Sequence, residues 1–199
     1  EHGVDYFLAG ALARDIRLSA GDGLAARRKT NDVDIAVLLD NEEKFYAIKD
    51  ALVDTGYFEE SAYKAIKLIY KGSIEVDLLP FGEIENENRE LQLSRHTLLV
   101  MDMSGFKEVY PFVDTITFDG GLSLNVCTLE GLIILKLIAN DDNPSRSKDI
   151  TDIEHVLEVY FDLNSNEIYT EYLPVMDLYS TDIKEYLQLV SARVLGKKM

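Results

Sequence analysis

The chain has 199 residues, 47% of them hydrophobic, enough for one sizeable core or a main domain with a helical appendage. Its net charge of −16 removes the attraction that drives extended nucleic-acid binding. A single cysteine, Cys127, excludes an intrachain disulfide framework and fits a reducing compartment, so a cytoplasmic location is expected. The longest apolar run, Leu132 to Leu135, is far short of the roughly 20 residues of a membrane span, and no membrane partner is expected.

Tyr6 to Ala9 reads as a strand end halted at Gly10, and Ala11 to Leu18 as a short helix carrying Arg14 and Arg17. Gly21-Asp22-Gly23 signals a loop, followed by the basic cluster Arg27-Arg28-Lys29. Val33 to Leu39 is a strand by composition. Asp40 to Glu43 resembles a capping box opening a helix with Phe45, Ile48 and Leu52 on one face and Gly56 as its C-terminal cap. Ala65 to Tyr70 and Ser73 to Leu79 alternate as two strands joined at Lys71-Gly72, with Pro80 ending the second. Glu83 to Arg95 is polar and reads as a loop or solvated helix, and Asp119-Gly120-Gly121 marks a second hairpin. Helices are expected from Leu129 to Ala139, from Ser147 to about Val159 burying Ile150, Ile153 and Leu157, and from Asp182 to Val194. The expected fold is therefore α+β: a small mixed sheet with flanking helices over residues 1–126, and a helical C-terminal part over 127–199 packed on it.

Asp32 and Asp34 stand two apart on a strand, so both point to one face while Val33 and Ile35 point to the other. Paired carboxylates repel without a counter-charge. Mg²⁺ (or Mn²⁺) is a natural one: it is hard, prefers oxygen, and is commonly held by one or two carboxylates plus substrate phosphates. Asp77, on the polar face of its own strand with Ser73 and Glu75, becomes a third arm if the two strands are neighbours. Gly10-Ala11 at a helix start lets backbone N–H groups approach a phosphate. Thr30 and the upstream cations offer further phosphate contacts. In Arg146-x-Lys148-Asp149-x-x-Asp152, with Lys136 on the helix before, local pairing such as Lys148 with Asp152 competes with a functional role.

Together these pieces resemble the nucleotidyltransferase superfamily of the DNA polymerase β type. The motifs are Phe7-Leu8-Ala9-Gly10-Ala11, Thr30-Asn31-Asp32-Val33-Asp34-Ile35 and Ile74-Glu75-Val76-Asp77-Leu78-Leu79. Thr128 to Leu137 and Arg146 to Ile153 are similar to the abortive-infection toxin (AbiEii-like) branch. The resemblance implies that Asp32, Asp34 and Asp77 ligate metal and carry catalysis, with Asp77 helping to activate the acceptor hydroxyl. It implies that Gly10, Ala11, Arg14, Thr30, Lys136, Arg146, Lys148 and Asp149 bind or orient the nucleotide. The reaction would move an NMP from an NTP to a hydroxyl of an RNA end, a protein or a small molecule, and an antitoxin partner is a further implication of the branch. Ala11 departs from the pattern, where Ser or Gly is usual, and costs a side-chain hydroxyl.

That departure favours one competing reading, a catalytically degenerate nucleotide- or partner-binding module on the same fold. A sugar-nucleotide glycosyltransferase using Asp-x-Asp is a third, and requires neither the Gly10 turn nor Asp77. If Arg14, Arg17, Arg27 and Arg28 form one face, they could dock the end of a transfer RNA.

Overall fold

The computed structural model describes residues 3–19, 32–95, 98–179 and 185–199. The chain divides into two compact units, Glu1–Thr128 and Leu129–Met199.

The first unit is built on a seven-stranded mixed sheet. Its strands are β1 (Tyr6–Ala9), β2 (Asp32–Leu38), β3 (Phe58–Glu60), β4 (Lys67–Tyr70), β5 (Ile74–Phe81), β8 (Asp114–Thr117) and β9 (Ser123–Val126). They lie in the order β3-β4-β5-β2-β1-β9-β8. β2 runs parallel to β5 and antiparallel to β1, so the three chemistry-bearing strands are adjacent. Helix α1 (Gly10–Ser19) leaves β1 directly, and α2 (Glu42–Asp54) follows β2.

One sheet face explains where the site sits. Ala36 pairs with Phe7 and Leu79, and Leu38 with Phe81, so these residues share the face that carries Asp34. Phe7, Ala36 and Phe81 are fully buried. Phe7 and Phe81 meet edge-on at 5.6 Å between ring centroids, and both contact Phe106 and Tyr110. Asp34 and Asp77 continue the same face one step beyond Ala36 and Leu79. A packed apolar layer of this kind fixes strand positions far more tightly than solvated residues could.

Several sequence expectations shift. The N-cap of α2 is Asn41, whose side chain accepts from the Lys44 backbone N–H at 3.0 Å; Asp40 pairs with the Lys44 ammonium instead. Gly56, with φ of +75°, follows the C-cap Thr55 and donates its N–H to Val53. Lys71 and Gly72 both take positive φ, as the tight β4–β5 turn requires. Pro80 does not end β5, which continues to Phe81 with Pro80 opposite Val37. The N–H of Leu78 points to β4, and so would that of residue 80, but β4 has no residue left to accept it. Proline therefore costs no ladder bond there.

The polar stretch Glu83 to Arg95 is not simply loop or helix. It contains strand β6 (Glu90–Leu93), which pairs with β7 (Leu99–Asp102) in a separate two-stranded sheet. Leu91 and Leu93 are fully buried, and Glu85, 9% exposed, accepts from Arg89 and from the backbone of Gly82. A short helix α3 (Phe106–Val109) then leads to the hairpin of β8 and β9 around Gly120 and Gly121. The loop at Gly21-Asp22-Gly23 and the cluster Arg27-Arg28-Lys29 lie outside the described residues.

The second unit is helical: α4 (Leu129–Asp142), α5 (Ser147–Leu163), α6 (Ser165–Glu171), α7 (Leu173–Leu178) and α8 (Tyr186–Lys198). Its α5 buries Asp149, Asp152, Val156 and Tyr160, spaced three and four apart. The expected face of Ile150, Ile153 and Leu157 is displaced, with Ile150 40% exposed and the other two half-buried. An ionic pairing with α4, described below, sets this rotation. Within α8, Val190, Val194 and Leu195 are buried while Leu187 is exposed, and Ile183 lies outside the described residues. Among the described residues no helix is long and apolar enough to cross a membrane.

Candidate active site

The parallel register of β2 and β5 sets Asp34 directly opposite Asp77, and Asp32 opposite Glu75. Paired residues share a face, so four carboxylates lie on one patch. Across the other edge of β2, Asp34 is opposite Ala9, the last residue before α1. Gly10 then takes φ of +61°, and a Cβ at that position would stand 1.8 Å from Asp34 Oδ2 and 2.7 Å from its Cγ. The Asp34 carboxylate therefore lies against the first residue of α1, where the helix presents unpaired N–H groups and positive charge. Ala11, next in the helix, is half-buried.

This tight approach makes a prediction. Gly10→Ala should cost about 1–2 kcal/mol through the positive φ alone. It must also rotate the Asp34 side chain away, because Cγ as well as the carboxylate oxygen is in the way. Nucleotide binding should fall more than thermal stability, measured by calorimetric titration and a circular-dichroism melt on the same sample.

The patch has an internal counter-charge that the sequence reading passed over. Lys67 opens β4 directly opposite Asp77. It is 8% exposed. Its ammonium hydrogen-bonds Glu75 and stands 3.4 Å from Asp77 Oδ1. Burial, the largest single influence on Lys67, would lower its pKa, but Glu75 and Asp77 outweigh it and hold it above the ordinary lysine value. The Lys67 hydrogen bond in turn holds Glu75 below the usual carboxylate range. The alternation in β4 was the available signal: with Ile66, Leu68 and Tyr70 on one face, Lys67 must fall on the face of Asp77. Asp77 Oδ1 itself is buried, and no hydrogen bond of good geometry reaches it.

Arg14 and Arg17 do not form the open basic face considered for RNA. Arg14 is 3% exposed and grips Asp15 through Nε at 2.9 Å and Nη2 at 2.7 Å. Arg17 donates to the carbonyls of Cys127 at 2.9 Å and Val126 at 2.6 Å, and to Asp114 at 2.8 Å. Its guanidinium thereby ties α1 to the end of β9. Cys127 is buried. Thr30 lies outside the described residues.

In the second unit, Lys136 of α4 reaches Asp149 Oδ1 at 3.0 Å and Asp152 Oδ2 at 2.8 Å on α5. Arg146 Nε holds the other Asp149 oxygen at 2.6 Å. Asp152 thus pairs with Lys136 across the α4–α5 helix pair. Lys148 is exposed. Burial would raise the Asp149 pKa, but the Arg146 and Lys136 hydrogen bonds together carry it below the ordinary aspartate value.

A glycine-opened helix behind one strand, an Asp-x-Asp on the next and a third Asp opposite it form the arrangement that the resemblance to nucleotidyltransferases implied. The family comparison is specific. Residues 5–193 match the family described as "Nucleotidyl transferase AbiEii toxin, Type IV TA system", and the chain belongs to that family. Two solved structures are similar to parts or most of it. The lincomycin-bound lincosamide antibiotic adenylyltransferase LnuA has 15% identity and a TM-score of 0.38, with 66% of this chain and 74% of that one covered. The antibiotic-resistance factor ANT(2'')-Ia has 12% identity and a TM-score of 0.41, with 98% and 84% covered. No curated protein sequence matches the chain.

Proposed function

We propose that this nucleotidyltransferase moves an NMP from an NTP to an acceptor hydroxyl with the help of a divalent cation, and that it serves as the toxin of a pair with an antitoxin. The observation that carries the reading is the β2–β5 register, with Asp34 opposite Asp77 and its carboxylate against Gly10.

The residues suit Mg²⁺ or Mn²⁺ by chemistry, since Asp32, Asp34 and Asp77 offer only hard oxygen donors. The buried Asp77 Oδ1 accepts no hydrogen bond of good geometry and has the Lys67 ammonium 3.4 Å away, so it has donor capacity left for a cation. Among the described residues no three such side chains already stand gathered as a metal-holding group; Lys67 takes the place beside Glu75 and Asp77. A bound cation would neutralise charge developing on the phosphates and lower the acceptor hydroxyl's hold on its proton.

The protein's own groups supply the rest. Gly10 and Ala11 bring the α1 N-terminus to the triphosphate, and backbone N–H groups hold its oxygens. Asp77 accepts a hydrogen bond from the acceptor hydroxyl and orients its oxygen. That oxygen bonds to the α-phosphorus as the bond to the β-phosphate bridge breaks; pyrophosphate leaves, and the acceptor's proton passes to carboxylate or water. Arg146 and Lys148 are the cations proposed for phosphate contact in their unit, with Lys136 and Asp149 positioning them. The charge of −16 and the internal engagement of Arg14 and Arg17 favour a compact acceptor, on a protein, a small molecule or an RNA end, over a long RNA tract.

Calorimetric titration of each of the four NTPs, with Mg²⁺ and then with EDTA, into wild type and Asp32→Asn tests this. Mg²⁺-dependent binding of at least one NTP, lost in the variant, is the expected result. Absence of binding by wild type to every NTP would overturn the reading in favour of a module without catalysis.

A further inference from the structure

Lys67 is 8% exposed and sits at the acidic end of the sheet face, bonded to Glu75 and 3.4 Å from Asp77 Oδ1. A lysine is not needed there to complete the sheet, because β4 pairs with β5 through its backbone. Burying an ammonium is costly unless carboxylates compensate it, and here the compensating groups are those of the site. We propose that Lys67 is a positioning residue, the resident counter-ion of the acidic site: it holds Glu75 and Asp77 in place before a divalent cation arrives and sets how tightly that cation is taken up.

The inference rests on the metal-assisted reading above. A cation bound by Asp77 comes close to the Lys67 ammonium, and the two repel at short range in a partly dry site. Binding of the cation alone is therefore opposed, and the negative charge of a triphosphate offsets that opposition. Cation and nucleotide then enter together, and the site does not fill with free Mg²⁺ between turnovers. A lysine with a purely structural role makes no such prediction, since losing it would loosen the strands and weaken every ligand.

The probe is Mn²⁺ alone, followed by the electron paramagnetic resonance signal of the free ion, with Mg²⁺ competition to assign the site. Lys67→Met should bind Mn²⁺ about tenfold more tightly than wild type or better, as expected for removing one positive charge a few ångströms away. Lys67→Arg, which keeps the charge, should stay near wild type. Glu75→Gln provides a second handle should Lys67→Met not fold. With Glu75 neutral, Lys67 has Asp77 as its remaining charged partner of the two, and Mn²⁺ should bind several-fold more weakly. Unchanged or weaker Mn²⁺ binding in a folded Lys67→Met overturns the inference, and so does unchanged or tighter binding in Glu75→Gln. Wild type that binds no Mn²⁺ even with the NTP selected by calorimetry overturns the metal-assisted reading, and this inference with it.

Discussion

Asp34→Asn is expected to lower nucleotidyl transfer by a factor on the order of 10²–10⁴, the equivalent of several kcal/mol of charge stabilisation in the transition state. Asparagine keeps the shape that packs against Gly10 but loses the charge that faces Asp77 and that would meet the proposed cation. The stability change should be small because two effects oppose. Loss of the carboxylate at the α1 N-terminus costs about 0.3–1 kcal/mol. Relief of repulsion with Asp77 and Asp32 returns an amount of similar size. Transfer of label from an α-phosphate-labelled NTP, alongside a circular-dichroism melt, separates the two. Loss of transfer with an unchanged melting temperature supports a role in the chemistry. A large drop in melting temperature would make Asp34 a structural residue and would remove the central arm of the site.

The residues of the candidate site stand out in the sequence because they break a pattern. Asp32, Asp34 and Asp77 interrupt apolar runs at a period of two, which fixes their face once the strands are assigned. Which strands are neighbours was not legible, since alternation carries no information about partners. The condition attached to Asp77, that its strand lie beside that of Asp32 and Asp34, is met by the β2–β5 register. Lys67 went unnoticed for a related reason. A lysine at a strand start usually extends into solvent, and its burial follows only from the carboxylates placed around it by the register. Strand β6 was missed because Glu90 and Gln92 dominate its composition, although Leu91 and Leu93 carry the alternation. In α5 the error had the opposite origin. Isoleucine and leucine positions were assigned to the core, but a buried ion cluster claims the inner face and turns Ile150 outward.

That cluster carries the largest expected effect on stability. Lys136→Met should destabilise the protein by about 3–5 kcal/mol, because it leaves Asp149 and Asp152 in a largely dry interface without their shared cation. Lys136, Asp149 and Asp152 side chains are 14%, 6% and 12% exposed. Arg146 remains but holds only Asp149, and its own side chain is 54% exposed, so it compensates little. The pH dependence distinguishes wild type from variant. Asp149 in wild type lies below its ordinary pKa, so its contribution is fully present above the ordinary aspartate range and is lost as pH falls through the folded value. In Lys136→Met the buried carboxylates lose the cation that favours their charged form. The folded pKa of Asp149 rises, and its protonation then relieves the penalty, so the gap between variant and wild type should narrow from pH 7 to pH 5. Urea unfolding followed by circular dichroism at the two pH values measures this; the chain has no tryptophan to report by fluorescence. Replacing both Asp149 and Asp152 by Asn in the Lys136→Met background should restore much of the loss, since neutral amides need no buried cation. A Lys136→Met protein as stable as wild type that no longer binds NTP would instead make Lys136 a direct phosphate contact, with its bonds to Asp149 and Asp152 incidental to the fold.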